Sequence, residues 1–175
     1  MNKKRLYEII DSYWADYVRH KELEYVISPS VPVIWFGDLD AYFRSNVKTV
    51  TVSINPSCME FHSKDDKPAK DAENIDLSYR RFRGIEDIVL KESLKDEDKE
   101  ILINGLNGYF KNEPYYKEWF TLYEEKCMAF FPKEYAVGYG VAEERPNTAV
   151  HIDAYSSLAT FPNWSELENK YGKSS

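Results

Sequence analysis

The sequence predicts an α/β fold: a three-layer sandwich with a short parallel sheet flanked by helices, in a single domain over residues 1–175. Val47 to Ile54 and Thr148 to Asp153 are apolar runs rich in β-branched residues, each stopping at a polar residue, as strands buried on both faces do. Between them the chain shows helical periodicity, and strands joined by a helical crossover pair in parallel with a right-handed connection. Asn55 and Asp153 then share the carboxyl edge of the sheet, where open α/β sheets hold their ligands.

The elements follow in order. Leu6, Ile9, Ile10, Tyr13, Trp14 and Tyr17 recur at helical spacing with charge on the other side, which predicts an amphipathic helix over residues 4–20. Ser28-Pro-Ser-Val-Pro32 breaks the chain. The apolar run Val33 to Phe36 ends at Gly37-Asp38, and Asp40 to Phe43 makes a brief turn or helix. The first strand stops at Asn55-Pro56, because proline cannot donate to a ladder and biases the preceding residue toward extended geometry. His62 to Asn74 is polar and aperiodic, a surface loop. Ile85, Ile88 and Val89 suit a helical turn or two. Asp96 is placed to cap a helix through Ile101, Leu102 and Leu106, weakened at its end by Gly105 and Gly108. Pro114 opens a further helix whose stripe of Tyr116, Trp119, Phe120, Tyr123, Cys127 and Phe130 is core. After the second strand comes a short helix around Ser165 to Tyr171.

With 43% hydrophobic and 15% aromatic residues, 175 residues suffice to bury a core without disulfides or metal. No apolar stretch reaches membrane-spanning length, and Glu8, Asp11 and Ser12 interrupt the only segment that follows the basic N-terminus. Two cysteines make no disulfide framework, so a cytoplasmic protein without membrane association is expected. A net charge of −7 argues against a surface that attracts phosphate everywhere. A local basic face remains: Lys64, Lys67, Lys70, Arg80, Arg81 and Arg83. Interspersed with Asp65, Asp66, Asp71 and Glu73, these charges read equally as the solvated side of a loop. The Cys58-x-x-x-His62 spacing lacks the second pair a metal site needs, and no metal or cofactor is assigned.

The strand ending Val50-Thr-Val-Ser-Ile-Asn-Pro-Ser57, the aromatic helical crossover, and a second strand followed by Leu158-Ala-Thr-Phe-Pro-Asn-Trp164 together resemble the uracil-DNA glycosylase superfamily over Val47 to Trp164. The resemblance implies an α/β sandwich on a parallel sheet that binds DNA and cuts the N-glycosidic bond of a flipped, damaged or mismatched base. Such cleavage passes through a cation-like sugar and needs a positioned water. By the resemblance, Asn55 would orient that water; an amide cannot take its proton. Pro56 and Ser57 would shape the turn, with Ser57 near phosphate, and Arg80, Arg81 and Arg83 would bind phosphate. Asp153 falls where tightly uracil-selective members carry an Asn that reads the base. A carboxylate offers only acceptors and suits a base edge presenting donors. Phe61 is a candidate stacking platform for the base, or a loop residue folded back on the core. Asp153 reads equally as a turn or cap carboxylate. His151 reads as a packed core residue.

The departures bear on function. Ser53 stands where the family's motif opens with glycine. The family's second signature, a His-Pro-Ser or Asn-Pro-Ser turn with a leucine wedge, is not found after the second strand. A domain shortened at its C-terminus, a fragment, or a reused fold is therefore expected. The alternative to a glycosylase is a catalytically inactive nucleotide- or protein-binding module of the same fold. Two strands alone also leave a sheet edge that another chain could cover.

Overall fold

The computed structural model describes residues 2–61, 81–111, 115–130, 138–140 and 147–172, and shows a small α/β fold with one short parallel sheet. Helix α1, Lys3–His20, starts on Asn2, whose side chain accepts from Lys4 N at 3.0 Å. Its buried Leu6, Ile10, Trp14 and Tyr17 form the apolar stripe that the spacing predicts. Asp38 caps the six-residue α2, Leu39–Arg44.

Between α1 and α2 the run Val33 to Phe36 enters the core. Phe36 N donates to His151 O at 2.8 Å, and His151 N donates back to Phe36 O at 3.0 Å. Gly37 then turns the chain at φ 105°, and a Cβ there would meet Phe110 Cε2 at 2.9 Å and Ala149 O at 3.0 Å. Glycine is required on both counts.

Strand β1, Thr49–Ser53, pairs in parallel with β2, Ala149–Asp153, with Thr51 opposite His151 and Ser53 opposite Asp153. Both predicted strands are present, each trimmed to five residues. Side chains alternate across a strand, so Thr51, Ser53, His151 and Asp153 face one side. On the other side Val150 is buried, whereas Val50, Val52 and Ile54 are exposed. The Phe36 bridge covers the outer edge of β2. Among the described residues no strand pairs with the outer edge of β1.

Helix α3, Asp96–Gly108, buries Leu102, Gly105 and Leu106. Its cap differs from the expected Asp96: the chain enters at Lys95, and Asp98 Oδ2 reaches back to accept from Lys95 N at 3.0 Å. As the first residue of the helix Asp96 does not cap it, whereas a carboxylate at the third helical position reaches back to the N–H of the cap residue. Lys99 Nζ ties α3 to α1 through Asp11 Oδ2 at 2.8 Å.

Helix α4, Lys117–Met128, carries buried Phe120 and partly buried Trp119 and Tyr123. The predicted stripe is narrower than its spacing suggested, because Phe130 lies beyond the helix and is 88% exposed. Pro114, the predicted first helical residue, lies outside the described residues, as does the 62–74 loop. Helix α5, Trp164–Tyr171, is capped by Asn163. The core centres on packed rings: Phe36 meets Tyr109 at 4.6 Å, and Phe110 meets Phe120 at 4.8 Å and Tyr139 at 4.6 Å. No helix among the described residues is long and apolar enough to cross a membrane.

Candidate functional site

Both strands release their chains at the same sheet edge, and a cleft of about 90 Å³ opens there. Its lining includes Asn55, Pro56, Ser57 and Asp153, the residues singled out by sequence. It also includes Glu60 and His151, and its walls are the rings of Phe36, Tyr116, Trp119 and Phe120.

Asn55 is oriented. Its Nδ2 donates to Pro56 O and to Thr160 Oγ1, each at 3.0 Å. A carbonyl only accepts, so the nitrogen must face Pro56 and the amide cannot be flipped. Oδ1 is left as the acceptor end of the side chain. Pro56 is buried under the turn. Ser57 Oγ accepts from Met59 N at 3.2 Å, starting a short 3-10 turn over Cys58–Glu60. That accounts for Ser57 by local capping, where the sequence suggested phosphate.

Glu60 carries no recognisable sequence signal, yet it is almost fully buried and lines the cleft. Arg81 Nη1 donates to its Oε1 at 2.9 Å and Tyr109 OH donates to its Oε2 at 2.7 Å. Burial pushes the Glu60 carboxyl above the usual range, against the pull of Arg81 and Tyr109, with Asp153 adding a smaller push the same way. Tyr109 is itself pushed well up by burial and by Glu60. The partner that makes Glu60 tolerable, Arg81, lies far along the chain, so only the fold brings them together.

Arg81 is thereby corrected as a phosphate contact. Its side chain is 11% exposed, its guanidinium pairs with Glu60, and it sits 4.5 Å over the Tyr116 ring. A buried carboxylate demands that charge more strongly than solvent does. Arg83 is half-buried nearby, and Arg80 lies outside the described residues. Phe61 is likewise corrected as a base platform: it is 0% exposed and stacks on Phe82 with centroids 5.6 Å apart, inside the core.

His151 is buried, as expected, edge-on to Trp119 at 5.0 Å and Phe120 at 5.2 Å. It nevertheless belongs to the cleft. Thr51 Oγ1 lies 2.8 Å from His151 Nδ1 and is also hydrogen-bonded to Tyr139 OH. His151 Nε2 is 3.6 Å from Asp153 Oδ1. Tyr139, Thr51 and His151 thus form a hydrogen-bonded chain that ends with Nε2 near Asp153. Asp153 is no turn cap. Its side chain is 2% exposed, and its Oδ2 has no hydrogen-bond partner among the described residues.

Among the described residues no group of three or more His, Cys, Asp or Glu side chains could hold a metal ion; His62 lies outside them. Cys58 is half-buried, and burial pushes its thiol up, away from the reactive thiolate. The fold and site thus define a small α/β domain with an acidic, aromatic-walled cleft at the carboxyl edge of a parallel strand pair. Comparison with protein families, with curated proteins and with solved structures gives no match.

Proposed function

We propose that the cleft is the base pocket of a DNA glycosylase-like domain that hydrolyses the N-glycosidic bond of a flipped damaged or mismatched base. One observation carries this reading: Asn55 and Asp153, from the ends of two in-register parallel strands, meet in one aromatic-walled cleft with the Asn55 amide held in a single orientation. The Oδ1 end of Asn55 is suited to accept a hydrogen bond from a water and aim its lone pair at the anomeric carbon. As the carbon–nitrogen bond breaks, its electron pair leaves with the base. The water's proton must pass to solvent or to the departing base, because an amide does not take it. Hydrolysis is therefore slower than with a carboxylate at position 55.

The exposed Val50, Val52 and Ile54 and an edge of β1 that no described strand pairs favour a second reading, a binding module without chemistry whose partner chain covers that edge. Oligonucleotides carrying uracil, hypoxanthine, mispaired thymine, isocytosine or mispaired cytosine decide between the two. Abasic product from wild type and none from Asn55→Ala supports the glycosylase. Absence of product from every substrate, or equal product from the variant, overturns it.

A further inference from the structure

Two carboxyl groups, those of Asp153 and Glu60, line the cleft beside the Asn55 amide. Asp153 lines it with a side chain 2% exposed and a buried Oδ2 that has no hydrogen-bond partner among the described residues. Buried acceptors are normally satisfied, so an orphaned one at the wall of a cleft points to a donor that arrives with a ligand. Its other oxygen has His151 Nε2 at 3.6 Å, longer than a hydrogen bond, and is also open to a second donor. Asn55 has committed its amino group to Thr160 and Pro56, which leaves its Oδ1. Glu60 adds a second buried carboxyl, but its two oxygens already accept from Arg81 and Tyr109, which leaves Asp153 as the carboxylate open to a ligand. None of the described lining residues is Lys or Arg.

The space is small. About 90 Å³ is room for about three waters at their liquid volume, a space on the scale of one planar ring. The flat aromatic walls suit such a ring. Uracil fits the space but not the chemistry: its one edge N–H is flanked by carbonyls, which would be set against carboxylate oxygens.

We propose that this cleft selects a single-ring base presenting two adjacent N–H donors, the edge of isocytosine or of cytosine carrying a proton on its ring nitrogen, with Asp153 accepting both. This rests on the reading of the cleft as a base pocket and not on cleavage. Binding of the free bases isocytosine, cytosine and uracil to the full chain, followed by ligand-observed NMR, tests it directly. Isocytosine should bind at least about tenfold more tightly than uracil, as one bidentate pair discriminates. Cytosine should tighten as pH falls toward the pKa of its own ring nitrogen. Asp153→Asn, which keeps size and supplies one donor and one acceptor, should reverse the order in favour of uracil. Should that variant fail to fold, the wild-type ranking alone decides. Equal binding of isocytosine and uracil, a preference for uracil, or no binding of any base up to its solubility limit overturns the proposal. Isocytosine binding without cleavage of any oligonucleotide would leave this selectivity standing while the glycosylase reading fails. Cleavage of uracil without isocytosine preference would do the opposite.

Discussion

Asn55 Nδ2 and Thr160 Oγ1 are joined at 3.0 Å, so the turn that ends β1 is tied to the segment that follows β2. Thr160 is buried and also bridges Val26 and Ser57 through its backbone. Thr160→Val keeps the shape and removes the acceptor. Urea denaturation should show a loss of about 1 kcal/mol. Under the proposed function, base release should fall with it, and adding Asn55→Ala to Thr160→Val should cost little more than Asn55→Ala alone.

The Glu60–Arg81 pair should behave as a unit. Removing Arg81 leaves a buried carboxyl uncompensated, and Arg81→Met should cost about 3–5 kcal/mol. The double variant Glu60→Gln with Arg81→Met should lose less than the sum of the single losses, as measured in a double-mutant cycle by chemical denaturation.

The same carboxyl sets a pH dependence. Burial holds Glu60 above its ordinary value of 4.5, so the folded chain binds this proton more tightly than the unfolded one. The unfolded state then carries fewer protons here, and stability falls as pH rises from 4.5 through the raised value. The contribution is complete below that window. Denaturation midpoints between about pH 4 and pH 7 should show wild type losing stability relative to Glu60→Gln as pH rises. A flat difference across that range would count against the buried, protonation-favouring site.

Phe61 and Phe130 separate core from surface. Phe61→Ala empties a fully buried ring position and should cost about 3–5 kcal/mol. Phe130→Ala, at 88% exposure, should stay within about 0.5 kcal/mol. Phe61→Leu should leave base binding in the cleft unchanged, since the ring does not line it.

Much of the fold was legible because periodicity reports burial directly. Helix α1, both strands and the shared edge of Asn55 and Asp153 follow from local pattern and the parallel crossover rule. The cap of α3 sits at Lys95, one residue before Asp96, because Asp96 and Asp98 are alike in sequence and only the position of the backbone donor tells them apart. The acidic half of the cleft was only partly legible. Glu60 and Arg81 are ordinary charged residues in sequence, and their pairing is a long-range contact that no local spacing reveals. The apolar run around His151 marks it as buried, but its reach to Thr51 and Asp153 depends on the strand pairing. Phe61 illustrates the converse: an aromatic beside a site motif was drawn into the interior by Phe82.

The pairing of Ser53 with Asp153 has one more consequence. A strand has only two faces, so the site is addressed by counting parity along β2. Shifting the chain by one residue there would present Ile152 to the cleft and turn both His151 and Asp153 away. Point substitutions can tune this pocket by degrees, whereas a single-residue insertion or deletion within β2 would erase its acidic character in one step while preserving almost every residue of the chain.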